Sequence, residues 1–400
     1  MDYRAIARRE LDVMGAFRSP WLRAAFDAVD REAFVPDAFW GYDTDDSGRQ
    51  MVIDRAVDKE AWRRAVWGTH RSLITQMDDG VTAEQGPHKG AFTSSISALD
   101  IVFEKLNQLT VEPGHNVLHI GTGSGYDSAL LSEGVGIGCG SLTTVELEPA
   151  LAAGGAKNLR GAGYTPTTVC GDGLEGWLAT APYDRIISTA AVRSVPRPWR
   201  EQCNDGAVIL APFNTLYARG GLLRLRIQGR VASGRFVGGA CYMWVRSQRP
   251  VHRLRPPADS HKEASPIDPE EILGRGWAQD FALGLYLPDV SFSHRGEGED
   301  KQVQLWDEPG TSVAIVDYDE WWRTDAVTVY GDRNLWSELV GAYSEWRLAG
   351  QPHYTRSGLT CADDGEHFWL DRPTARLSGD LPGPVPKPAP VARSRNATTH

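Results

Sequence analysis

HIGTGSGYDSALL, residues 119–131, is the stretch whose reading decides the fold. The apolar run NVLHI (116–120) leads into it and a helical stretch follows it. Gly121, Gly123 and Gly125 therefore stand between a strand and the start of a helix, where glycine lets the backbone turn sharply and approach a ligand closely. A dinucleotide fingerprint runs G-x-G-x-x-G so that a pyrophosphate caps the helix. Here the spacing is G-x-G-x-G, and Tyr126 occupies the place of the last glycine. The pattern points to a ligand without a pyrophosphate. A tight connection that binds nothing is the competing reading.

The alternation of strand and helix continues outward. SALDIVFEKLNQL (97–109) places Leu99, Val102, Phe103, Leu106 and Leu109 on one helical face, and SLTTVEL (141–147), TTVC (167–170), DRIIST (184–189) and GAVILAP (206–212) read as strands with helical stretches between several of them. That order predicts a parallel sheet with helices on both faces. LLRLRIQ (222–228) and GRFVGGACYMWV (234–245) read as antiparallel strands that complete it. Residues 1–40 read as helices and 41–92 as an inserted lid. Residues 93–245 form the ligand-binding domain and 246–271 a proline-rich linker. Residues 272–371 form a second, tryptophan-rich α+β domain, and 373–400, with six prolines, a disordered tail.

Composition narrows the function classes. Four hundred residues at 43.9 kDa suit two domains with accessory segments. A hydrophobic share of 41% with 24% charged residues is a soluble profile, and no apolar run reaches a membrane span. The N-terminal MDYRAIARRE has no apolar core of a signal peptide. The five cysteines, 139, 170, 203, 241 and 361, are scattered, as reduced thiols of a cytoplasmic protein would be, and none forms a metal-type pair. A net charge of −10 argues against non-specific nucleic-acid binding. Seven of the 14 tryptophans lie beyond residue 250, which calls for a packed domain there.

Two carboxylates follow the glycine turn in the right order. Glu146 ends the second strand, and an acid there can accept both hydrogen bonds of a ribose diol. Asp172, in CGDGLEGW (170–177), follows the third strand and can face an adenine amino group. Alone, each reads as a solvated loop acid; together they read as one ligand site at the carboxyl edge of a sheet.

With these residues in view, the sequence resembles the protein-L-isoaspartate O-methyltransferase family. HIGTGSGY, VELEPAL, GDGLEGW and YDRIISTAA are similar to its S-adenosylmethionine-binding motifs, and DREAFVPDAF (30–39) and TSSISA (93–98) extend the resemblance over roughly residues 1–245. The fold it implies is α/β, a Rossmann-like class I methyltransferase domain with an antiparallel end to its parallel sheet, followed by the C-terminal α+β domain. It also implies S-adenosylmethionine as cofactor, bound by His119, Gly121, Gly123, Gly125, Tyr126, Glu146, Asp172 and Gly173. His119 stands where the family usually has an acid. Ser97 and Ser95 are implied as the catalytic residues, with Thr93, Ser94 and Ile96 on the substrate side and no metal. The long segment after Phe34 and the C-terminal extension resemble the subgroup found with ribosomal peptide maturation systems of the ATP-grasp (graspetide) type. In that subgroup the substrate is a precursor peptide already modified by an ATP-grasp ligase, and the methyl ester of an aspartate closes to an aspartimide.

The chemistry needs little from the protein. A carboxylate is ionised at pH 7, so no general base is required, and catalysis is positioning. Ser95 and Ser97 would hold the carboxylate; their alternative is to cap the helix that follows. Tyr126 reads equally as a cofactor contact or as helix packing. Arg193, with Arg197 and Arg200, could steer an acidic peptide. Asp317, Asp319, Trp321 and Trp322 read better as a domain core with a solvated strand end than as a peptide surface. Neither nucleic acid nor membrane is expected as a partner. An isoaspartyl repair enzyme is the nearest alternative, and a nicotinamide oxidoreductase or a non-catalytic peptide-binding module stand further off.

Overall fold

Val117, Leu118, His119 and Ile120 are all buried in strand Asn116–Ile120, as a strand covered on both faces requires. The computed structural model describes residues 1–251 and 253–378 and sets this strand inside a nine-stranded sheet. Five parallel strands run in the order Thr167–Cys170, Ser141–Glu146, Asn116–Ile120, Tyr183–Ser188 and Cys203–Phe213. The chain order reverses at Asn116–Ile120, so the glycine turn leaves the sheet at its topological switch point, where open α/β sheets form their ligand crevice. Four antiparallel strands extend the sheet: Gly221–Gln228, Val231–Gly239, Ser357–Ala362 and Gly365–Leu370. Helices Leu99–Leu109 and Tyr126–Val135 pack their apolar faces with the N-terminal helices Tyr3–Val13 and Pro20–Ala28 in one core.

The segment expected as a lid is a folded unit. Strands Ala38–Thr44, Gln50–Asp54, Leu73–Met77, Val81–Thr82 and Phe92–Ile96 form an antiparallel sheet around a small core of Trp40, Ile74, Met77 and Ala83. Helix Lys59–Val66, capped by the Asp58 carboxylate, buries Trp62 and Val66. The polar DTDDSGRQ stretch is the turn of the first hairpin, tightened by Asp45, which accepts from the backbone of Ser47 and Arg49.

The C-terminal part departs from the expected division. Strands Ser260–Glu263, Val290–Arg295, Gln302–Asp307, Val313–Asp317 and Val327–Tyr330 form a second antiparallel sheet, with helix Leu335–Leu348 against it. The expected linker thus contains a strand. The hairpin Ser357–Leu370 does not stay with this unit but returns to the central sheet, because Val231–Gly239 has a free edge that Ser357–Ala362 pairs. Phe236 and Phe213 of the central sheet meet Phe368, with ring centroids 6.4 and 5.7 Å apart, and Phe236 meets Phe281 at 5.0 Å. One continuous core therefore spans both parts. Residues 373–378 are ordered on this hairpin, with the Leu377 N–H bonded to Phe368 O at 2.9 Å; the rest of the expected disordered tail lies outside the described residues. Trp336 and Trp346 are core residues, whereas Trp322 is 60% exposed, against the core reading of that side chain.

Candidate active site

The three turn glycines all have positive φ, +93°, +49° and +93° for Gly121, Gly123 and Gly125, a region that side chains bearing a Cβ disfavour. Their surroundings differ. A Cβ on Gly121 would strike the Thr189 hydroxyl, and one on Gly125 would lie 2.9 Å from Leu159. A Cβ on Gly123 would meet no atom within 4 Å and would stand in open space. Gly123 lines a cleft together with Gly121, Glu146, Leu147, Asp172, Gly173, Thr189 and Trp244.

Glu146 sits at the end of its strand, half-buried. Its Oε2 accepts from the Gly123 N–H at 3.0 Å and its Oε1 from the Glu148 N–H at 3.2 Å. The carboxylate thus holds the glycine turn and keeps further lone pairs for a ligand. Asp172 caps its own turn by accepting from the Leu174 N–H at 3.0 Å. The opposite wall carries Tyr242 to Val245, where Trp244 Nε1 is buried without a hydrogen-bond partner among the described residues. An open glycine backbone, two acids and an apolar wall fit S-adenosylmethionine: Glu146 would take the ribose hydroxyls, and Asp172 with the backbone beside it the adenine.

Strand Phe92–Ile96 delivers the serines. Thr93, Ser94, Ser95 and Ser97 all reach the same cleft. Neither Ser95 nor Ser97 caps helix Leu99–Leu109, whose N-cap is Ala98 without a side-chain bond, so the capping alternative does not hold. The buried Arg31, from the DREAF stretch, explains how Ser97 is placed. Its Nη2 donates to Ser97 O at 2.7 Å and its Nε to Val66 O at 2.9 Å, and its guanidinium lies 4.7 Å from the centre of the Tyr126 ring. Sequence reasoning gave Arg31 no role. Its one distinction in sequence is that it is the single basic residue of the DREAFVPDAF motif.

Five expected site residues do not line the cleft. His119 is fully buried beneath the turn, where its Nδ1 meets Ser128 Oγ at 2.8 Å and Thr144 Oγ1 at 3.2 Å. Burial, aided by the Lys105 charge and only partly offset by Asp127, pulls its pKa from 6.5 down to about 4. It is a neutral hydrogen-bonding support rather than a ligand contact. Gly125 serves helix packing, letting the turn close on Gly155 and Leu159. Tyr126 packs on Phe34 and Arg31, so its packing alternative prevails. Ile96 is a core residue beside Leu73. Arg193 is 10% exposed and is tied to Glu308 at 2.6 Å, which joins the two parts of the molecule and leaves it no substrate to hold. Arg197 pairs with Glu201, and Arg200 is buried and bonded to Arg230 O.

Two arginines that sequence reasoning passed over do line the cleft. Arg249 forms a two-pronged pair with Asp79 at 2.8 and 3.1 Å, and Arg246 bridges Asp79 at 3.2 Å and Glu148 at 2.8 Å. The Arg249 hydrogen bonds, with the charge of Arg246 behind them, hold Asp79 below the usual carboxylate range. Gln76 of the inserted sheet also donates to Glu148, at 2.9 Å. These contacts clasp the inserted sheet over the cleft. Among the described residues no group of acids, histidines and cysteines is arranged to hold a metal, and no helix is long and apolar enough to cross a membrane.

Comparison with known proteins places the chain in a family. The family profile described as Protein-L-isoaspartate(D-aspartate) O-methyltransferase matches residues 71–231. A protein-L-isoaspartate O-methyltransferase of Methanococcus maripaludis is 42% identical over 152 residues, 37% of this chain and 71% of the relative. One of Methanothermobacter thermautotrophicus is 32% identical over 216 residues, 54% of this chain and 81% of the relative. A solved protein-L-isoaspartate O-methyltransferase, 17% identical, shares the fold with a TM-score of 0.54 over 92% of this chain and 100% of its own. This chain belongs to the protein-L-isoaspartate O-methyltransferase family: it is a carboxyl O-methyltransferase that takes its methyl group from S-adenosylmethionine.

Proposed function

We propose that the protein methylates the side-chain carboxylate of an aspartate-derived residue within a polypeptide, with isoaspartate as the first substrate to test. The observation that carries this reading is the meeting of Ser95 and Ser97 with Gly121, Gly123, Glu146 and Asp172 in one cleft. The names of the relatives favour isoaspartate. S-adenosylmethionine, when bound, supplies an activated methyl group. The chain's own part is to hold the carboxylate by the Ser95 and Ser97 hydroxyls with one oxygen free, and to exclude water by means of the clasped inserted sheet. The carboxylate is ionised at neutral pH, so no residue has to remove a proton.

A second reading has one observation in its favour. The inserted sheet and the segment 246–249 wall the cleft with parts beyond those that a free amino acid would need, which suits a defined peptide. Under this reading the protein acts on a ribosomally made precursor, first cross-linked by an ATP-grasp ligase, and the ester closes to an aspartimide. The C-terminal part does not by itself argue for maturation, since the likeness to a solved protein-L-isoaspartate O-methyltransferase runs over 92% of this chain.

The test compares methyl transfer to three peptides: isoaspartyl, linear aspartyl and cross-linked aspartyl. Best turnover of the isoaspartyl peptide supports repair. Best turnover of the cross-linked peptide, with a mass gain of one methyl group followed by net loss of one water, supports maturation. Transfer to none of the three would sink both. Ser97→Ala should lower kcat with S-adenosylmethionine affinity unchanged.

A further inference from the structure

Residues 246–255 read RSQRPVHRLR, four arginines in ten positions of a chain with a net charge of −10. The inner pair, Arg246 and Arg249, lines the cleft beside Ser95 and Ser97 and is compensated by Asp79 and Glu148. The outer pair differs. Arg253 and Arg255 are exposed, and their side chains form no ion pair or hydrogen bond with any described residue. Both line a surface hollow with Val251, Glu308 and Pro309. The acid in that hollow, Glu308, is already engaged by Arg193 at 2.6 Å. The segment's backbone is anchored by the Arg255 N–H on Gly310 O at 2.7 Å. Other exposed arginines without a partner, such as Arg9, Arg160 and Arg226, lie on elements that do not reach the cleft. One segment thus leads from the reacting end of the cleft to two uncompensated cations fixed on the surface.

We propose that Arg253 and Arg255 form the outer end of a docking track, begun at the cleft by Arg246 and Arg249, for an acidic stretch of peptide flanking the reacting carboxylate. This rests on the reading of the substrate as a polypeptide carboxylate and adds a preference for its neighbours. An extended acidic chain matches the geometry, since carboxylates spaced along it meet guanidinium groups spaced along the track.

The test is direct binding to the full-length protein by fluorescence anisotropy. One fluorescein-labelled peptide carries a single aspartate flanked by glutamates, and a matched peptide carries glutamines instead. The wild type should bind the glutamate peptide about tenfold more tightly, with the advantage shrinking as salt is raised. The double variant Arg253→Glu/Arg255→Glu should lose that preference and keep its S-adenosylmethionine affinity. Neither side chain has a partner to lose, so the fold should survive. Equal binding of both peptides by the wild type, or a preference retained by the variant, would overturn the track. So would a single-stranded oligonucleotide of equal charge binding as well as the glutamate peptide. Binding with the expected preference but no methyl transfer to these peptides or to their isoaspartyl forms would leave the track standing and sink the proposed function. Methyl transfer without any preference would do the reverse.

Discussion

Acid should destabilise this protein through His119, and the effect can be worked out. The imidazole is buried under the glycine turn, and its pKa falls from 6.5 to about 4. In the unfolded chain it takes a proton near pH 6.5; in the folded chain it resists until about pH 4. Between those values the unfolded state binds more protons, so stability falls as pH falls. The loss begins near neutrality and saturates below the folded value. At pH 5 it amounts to about 2 kcal/mol, and in full to roughly 3 kcal/mol. His119→Asn keeps a polar group toward Ser128 and Thr144 but cannot titrate. The variant will be weaker at pH 7, since it leaves part of the imidazole volume empty. The informative quantity is the double difference: urea unfolding of both proteins at pH 7 and pH 5. The wild type should lose about 2 kcal/mol more than the variant between the two pH values. Other groups, such as the Asp127–Lys105 pair, are present in both proteins and cancel to first order. Equal losses would mean that His119 does not stay neutral in the fold, and the account of the turn's support would fail.

Glu146→Ala should weaken S-adenosylmethionine binding by about 1.5–3 kcal/mol in calorimetry, since it removes a charged acceptor and frees the Gly123 N–H. Gly123→Ala should cost roughly 1–2 kcal/mol in thermal unfolding for its positive φ, and should also reduce cofactor affinity, because the added methyl group stands in the cleft. Truncation at residue 250 should give a poorly folded product by circular dichroism, because it strips Ser357–Ala362 from the edge of the central sheet and divides a continuous core. A soluble truncated protein with full cofactor affinity would contradict that core.

Local signals carried much of this protein. The period-two and period-3.6 patterns, the three glycines, and the order Glu146 then Asp172 are properties of neighbouring residues, and they pointed to a parallel sheet with helices on both faces and a candidate ligand site at its carboxyl edge. The expectation that Ser95 and Ser97 reach the cleft came instead from the resemblance of TSSISA to a family motif, and both do line it. The failures share one cause, that side-chain direction and strand pairing between distant segments are set by packing. Ile96 stands between two cleft residues and Tyr126 follows soon after the cleft residue Gly123, yet both face the core, because that is where their apolar area is removed from water. Arg193 reads as free until Glu308, 115 positions away, is brought to 2.6 Å. No local pattern could show that the hairpin Ser357–Leu370 would return to pair with Val231–Gly239, since only the open edge of the assembled sheet selects it. Nor could sequence show that Arg246 and Arg249 line the cleft: their place depends on Asp79 and Glu148, two acids from separate elements that come together only in the folded chain.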